Sequence, residues 1–145
     1  MDNQEAAEQW LEKAVEDLNG ADVLLGAGIY TLSCYHAQQA GEKALKGYLS
    51  QYIDDTPKTH NVGELCKQCM DYDDTFSEIL RISSALTPFA THTRYPGTPA
   101  YTREDAEDAI QKAGRIFIFS QDHIELLEQG FDEEPEQSGP TMRMQ

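Results

Sequence analysis

Apolar residues recur at steps of three and four along most of the chain, and no segment alternates with the period of two that a strand requires. Trp10, Ala14, Leu18, Ala21 and Leu25 form one such line, with Glu5, Glu8, Glu12 and Glu16 on the opposite side. This predicts an amphipathic helix over residues 4–25, with a solvated acidic face. Gly26 and Gly28 supply its stop, because glycine accepts the left-handed conformation in which helices end. The pattern resumes with Leu32, Tyr35, Leu45, Tyr48, Leu49 and Ile53, predicting a second helix over 30–53, the longest of the chain, packed antiparallel to the first. Ser33, Ala37, Ala40, Gly41, Ala44 and Gly47 run along this helix as a ladder of small residues that lets a neighbour approach closely, so it is expected to be central.

Capping signals place the remaining helices. Asn61 with Glu64 starts a short helix through Leu65 and Met70, and Thr75 with Glu78 starts another that Pro88 interrupts near Leu86, with a brief resumption at PFAT. Thr102 with Asp105 opens the last, whose apolar line of Ala106, Ile110, Ala113, Phe117, Ile124 and Leu127 closes at Gly130. The expectation is an all-α, up-and-down bundle of four to five helices in one domain, residues 1–130. Residues 131–145 lack periodicity and are rich in acids, Pro and Gly, which predicts a disordered acidic tail.

Charge changes the picture. The formal net charge is −15, and the tail accounts for three of those charges (Asp132, Glu133, Glu134 and Glu136 against Arg143). The folded part therefore repels polyanions, which argues against duplex DNA as a partner. Cations nonetheless gather mid-chain at His36, Lys43, Lys46, Lys58, His60 and Lys67, so a local basic site on an acidic body is feasible. No apolar run approaches the roughly 20 residues needed to span a bilayer, and the polar, acidic start does not read as a signal peptide, so a cytoplasmic protein without a membrane partner is expected.

Four places offer chemistry. Cys66 and Cys69 form a CxxC inside a predicted helix; a redox pair normally follows a strand, and structural zinc needs four ligands, for which only Cys34 and His60 remain. Core-packed thiols are expected, with no metal and no cofactor. Steps of three and four on the second helix bring His36, Gln39 and Lys43 onto adjacent turns, a strip able to hold a phosphate; the structural alternative is a solvated face with a Glu42 to Lys46 pair. The third place is the stretch THTRYPGTPAYT, residues 91–102, longer than the two to eight residues that usually join helices. His92, Arg94 and Tyr95 there provide a guanidinium fork for phosphate and a ring for stacking, with Lys43, Lys46 and His60 as companions. Against this, Arg94 could pair with an acid such as Glu42, Tyr95 could be a core lid, and Pro96 and Gly97 could only shape the turn. The fourth, the Lys58–His60 stretch, has helix capping as its structural alternative.

QQAGEKALKGYL, then PKTHNVGEL, then TRYPG resemble the successive signatures of the HEPN domain family, over about Trp10 to Leu127. The resemblance implies a small helical bundle, usually a homodimer, often encoded beside a small nucleotidyltransferase and frequently serving toxin–antitoxin, defence or RNA-processing systems. Its ribonuclease branch carries an Arg followed by four to six residues and a His. Here Arg81 is separated from His92 by ten residues and Arg115 from His123 by seven. On one helix the latter step is about 80° of rotation and about 12 Å of rise, poor for one shared phosphate. The expected function is non-catalytic, the binding of a nucleotide or a partner nucleotidyltransferase at Arg94, Tyr95, His92, Lys43, Lys46 and His60. The rivals are a ribonuclease with a displaced Arg115/His123 site and a ligand-free interaction module that uses the acidic first helix.

Overall fold

A computed structural model describes residues 2–92, 96–97 and 99–130, the side chain of His92 excepted. Arg94, Tyr95 and the expected tail lie outside the described residues. Among the described residues there are six α-helices, one 3₁₀ segment and no strand, so the all-α expectation holds.

The first helix, α1 (Asn3–Gly26), starts where Asp2 and Glu5 cap each other's backbone N–H groups, at 2.8 and 3.1 Å. Its buried residues include Ala7, Ala14 and Ala21, with Leu11, Leu18 and Leu25 packed between them. This small-large alternation along one stripe brings α1 close against α2 (Tyr30–Leu49). The turn between them depends on Gly28, whose φ of +79° is the left-handed conformation a side chain disfavours.

α2 is central, touching α1, α3, α4, α5 and α6, but it is shorter than expected. It ends at Leu49 because the Ser50 hydroxyl turns back onto the Gly47 carbonyl at 2.7 Å, and the N–H groups of Tyr52 and Ile53 both close onto Leu49. At 20 residues it is exceeded by α1 with 24 and α6 with 26. The small-residue ladder is spent inside the monomer. A Cβ at Gly41 would lie 3.0 Å from Leu86, and one at Gly47 would lie 3.2 Å from Trp10.

The rest of the chain closes the bundle. α3 (Val62–Met70) begins at Asn61, which accepts from the Glu64 N–H; Glu64 does not return the bond, since the Asn61 N–H is taken by Thr59 Oγ1. A 3₁₀ segment (Asp74–Ile79) follows, capped by Asp73 rather than by Thr75. The Asp73 carboxylate accepts both the N–H and the hydroxyl of Thr75, so Thr75 is consumed as a donor. α4 (Leu80–Leu86) stops before Pro88, and α5 (Phe89–His92) is the brief resumption. α6 (Arg103–Glu128) carries the full Thr102–Asp105 capping box. Leu45, Tyr48, Leu49, Leu65, Phe76, Ile79, Leu86, Ile116 and Ile124 form the buried core. Each such side chain contributes on the order of 1.5–3 kcal/mol by leaving water.

Candidate functional site

α2 carries two polar rows one residue apart, and they have different fates. In the outer row the Asp17 carboxylate of α1 accepts from His36 Nδ1 at 2.8 Å and from Lys43 Nζ at 2.6 Å. This ties α1 to α2. In the inner row, Gln38, Glu42 and Lys46 follow at steps of four and are buried. Lys46 Nζ donates to Glu42 at 2.9 Å, and the Glu42 side chain is only 5% exposed. The pair expected on a solvated face is therefore an interior one, where an uncompensated charge would be costly.

Glu42 gathers donors. Gln38 Nε2 at 3.1 Å, Gln39 Nε2 at 3.3 Å and His60 Nδ1 at 3.1 Å join Lys46 on its two oxygens. Burial pushes the carboxyl upward, but the Lys46 bond and charge, followed by the His60 and Gln38 bonds, outweigh it and hold Glu42 below the usual glutamate range. An ionised carboxylate only accepts, so His60 Nδ1 carries a proton. Gln38 Nε2 also donates to the His60 carbonyl at 3.0 Å, fixing the backbone beneath the ring.

The His60 ring is 56% exposed and lines a groove of about 570 Å³. Asn61, Glu64 and Lys67 of the α3 side form one wall; Ser84, Thr87 and Thr91 stand on the other. The first N–H groups of α3 do not serve the groove, because Gly63 N–H donates to Thr87 Oγ1 and Glu64 N–H to Asn61 Oδ1. Its donors are side chains. Thr91 leads directly into the stretch that bears His92, Arg94 and Tyr95. The base of that connection is fastened by Phe89 packing edge-on to Tyr101 at 4.8 Å and by Tyr101 N–H donating to Thr31. Within it Gly97 turns with φ +89°, so Pro96–Gly97 does shape a turn. Another hollow of about 500 Å³ is lined by Asp71, Asp73 and Asp74, which disfavours an anionic ligand there.

Of the predicted residues, His60 reaches the groove, Lys46 stands behind it on Glu42, and Lys43 is held by Asp17 on the α1 side. Lys67 stands among the mid-chain cations and Thr91 starts the 91–102 stretch, but the sequence joins neither to His60; Ser84 and Thr87 were missed, since only the packing of α3 against α4 and its C-terminal end brings them to the groove. Lys58 pairs with Asp55 at 3.7 Å in full solvent. Arg115 is exposed, whereas His123 has both ring nitrogens engaged, Nδ1 with the Phe119 carbonyl at 2.8 Å and Nε2 with Thr75 Oγ1 at 3.2 Å. Its ring also stacks on Phe119 at 4.1 Å, so this imidazole is a packing element. Cys66 and Cys69 are buried free thiols, and burial raises both above the ordinary thiol value. Among the described residues no group of three or more His, Cys, Asp and Glu side chains is placed to hold a metal ion, and no helix is long and apolar enough to cross a membrane.

The sequence profile of the family described as "HEPN domain" matches residues 7–123. The chain belongs to the HEPN domain family. Its structure is similar to that of the protein TT1696 from Thermus thermophilus, at 33% identity and TM-score 0.72, covering 80% of this chain and 96% of that one. It is also similar to ST0689, an archaeal HEPN homologue, at 30% identity and TM-score 0.67, covering 81% and 97%. A search of curated proteins returned no match. In this HEPN domain the first two resembling motifs converge in space: EKALK supplies Glu42 and Lys46, and KTHN supplies His60 and the α3 cap.

Proposed function

We propose that this HEPN domain binds a nucleotide through its phosphate in the groove beside α3, with His60 as the anchor. The observation that carries the reading is the Glu42–His60 contact, which fixes Nδ1 and leaves Nε2 as the ring nitrogen available to a ligand. A protonated ring donates from Nε2 to a phosphate oxygen while Glu42 balances its charge. Lys67 lines the same groove, and Arg94 follows only three positions after Thr91, so a guanidinium joins them in this proposal. The net charge of −15 favours a mononucleotide over long RNA. The engaged ring of His123 supports binding over Arg/His ribonuclease chemistry. Family membership makes a homodimer, and a nucleotidyltransferase partner of a toxin–antitoxin or defence system, the first assemblies to try.

Titration with AMP, ATP and a short RNA tests the reading. His60→Ala and Arg94→Ala should each weaken nucleotide binding by about 1.5–3 kcal/mol, the scale of a charge-assisted hydrogen bond. Both variants should melt near the wild-type temperature. Wild-type protein that binds none of the three would end the proposal, and RNA cleavage abolished by Arg115→Ala would restore the ribonuclease.

A further inference from the structure

His60 differs from the other described imidazole rings in what its second nitrogen can reach. His123 uses both nitrogens inside the protein. His36 also gives Nδ1 to a carboxylate, but it lines no groove described above; its carboxylate is shared with Lys43 at the α1–α2 contact. At His60 a buried carboxylate holds Nδ1–H, the neutral ring places its lone pair on Nε2, and Nε2 has no partner among the described residues. This is the arrangement of an activated nucleophile: one nitrogen oriented by a third group, the other without a protein partner among the described residues, on a ring that lines a groove.

We infer that His60 Nε2 is a phosphoryl-accepting nucleophile, and that its donor is a nucleoside triphosphate seated in the groove. The inference rests on the nucleotide-binding reading. In the step, the Nε2 lone pair attacks the terminal phosphorus and an N–P bond forms. The bond from that phosphorus to the bridging oxygen breaks, and its electron pair leaves with the nucleoside diphosphate. No proton has to move, because Nδ1 keeps its hydrogen and the ring's new positive charge lies against the Glu42 carboxylate. Lys67 is the described cation of the groove available to the phosphate oxygens. Glu42 is a positioning residue, and Lys46 keeps it ionised in the interior. Binding and transfer use different states of the ring: the charged ring donates from Nε2, and the neutral ring attacks through it. The groups facing the ring are Glu42 and, through it, Lys46 from α2, with Glu64 and Lys67 of α3 lining the same groove.

Two donors test this on the intact chain: radiolabelled ATP, and phosphoramidate, which needs no nucleotide site. Mass spectrometry and ³¹P NMR should find one phosphoryl group on His60 Nε2 with either donor, formed at least tenfold faster than any label on His36. His60→Gln should remove it. Glu42→Gln should slow it at least tenfold, and ¹⁵N NMR should show the Nδ1–H tautomer of His60 in the wild type and its loss in that variant. Labelling of His36 at an equal rate, or of neither ring, would overturn the inference even if AMP still binds. Labelling by phosphoramidate alone would overturn the nucleotide as donor. Absent AMP and ATP binding would instead strike the reading on which the donor rests.

Discussion

Two triads on α2 have the same chemical composition, one carboxylate, one lysine and one histidine, and different surroundings. In the outer one Asp17, Lys43 and His36 bridge two helices, and the Lys43 and His36 side chains are 25% and 32% exposed. In the inner one Glu42 and Lys46 are 5% and 8% exposed, and the histidine arrives from the α2–α3 connection at 56%. The outer triad can be wetted when one member is lost; the inner pair cannot. Composition therefore does not assign a role to such a cluster. Depth decides whether it is a replaceable clasp or a fixed support, and the inner cluster, through His60, reaches the groove beside α3.

The largest expected effect breaks this comparison directly. Glu42→Ala leaves the Lys46 ammonium buried without its partner, and removing one member of a buried pair typically costs about 3–5 kcal/mol. Asp17→Ala strands no fully buried charge, because Lys43 can turn to water, and should cost about 1–2 kcal/mol. Urea denaturation of the two variants checks the ranking. Equal losses would mean that depth does not distinguish the clusters.

Replacing both buried partners sharpens it. Methionine at 42 and 46 keeps volume and removes both charges, and such exchanges are often neutral or stabilising, so Glu42→Met/Lys46→Met should fold within about 1.5 kcal/mol of wild type. Its nucleotide affinity should nonetheless fall, because His60 loses the carboxylate that orients the ring and balances its charge. Retained affinity in a folded double variant would show that the inner triad only holds the protein together.

The sequence made much of this bundle legible, through features that are local. The period of three and four located α1, α2, α3 and α6, and the Thr102–Asp105 box marked the start of α6, because capping involves residues three apart. The short 3₁₀ segment was misread because Thr75 and Asp73 compete for the same cap, and the carboxylate is the stronger acceptor. The site was half legible. His60 stood out as a helix-flanking imidazole, but the strip of His36, Gln39 and Lys43 drew attention one residue away from the row that is buried. Choosing between those rows requires knowing which face of α2 meets α1 and which meets the connection to α3. Asp17 entered the outer triad for the same non-local reason.

Acid probes the inner triad by itself. Because the folded environment holds the Glu42 carboxyl below its usual range, its contribution is fully present above the unfolded glutamate value and is lost as pH falls through the folded one. The stability gap between wild type and Glu42→Gln should therefore be greatest near neutrality and narrow below the glutamate range. Thermal melts from neutral pH into that acid range check the sign. A gap that widens in acid would mean that Glu42 is held protonated in the fold, and it could then no longer be only an acceptor toward His60.

Smaller effects than the loss of Glu42 come from two helical glycines that flank the two clusters. Gly20 of α1 lies beside His36, and an added Cβ would sit 4.0 Å from the ring, an ordinary contact. Gly20→Ala should stabilise by roughly 0.5–1 kcal/mol, since glycine costs about that much in a helix interior. Gly63 lies at the groove, where the same methyl would meet Ser84 Oγ at 2.5 Å and the Ser84 Cα at 3.2 Å. The hydroxyl can rotate away, but the backbone atom cannot, so α3 and α4 must separate slightly. That strain, of order 1–3 kcal/mol for overpacking, should outweigh the helix-propensity gain of about 1 kcal/mol, leaving Gly63→Ala destabilised by up to about 2 kcal/mol. Because the groove walls stand on these two helices, nucleotide affinity should change in Gly63→Ala and stay unchanged in Gly20→Ala. Melting curves and AMP titrations on both variants read the two predictions together. A Gly63→Ala protein with wild-type stability and affinity would show that the α3–α4 wall yields, and that the groove's shape does not set what it holds.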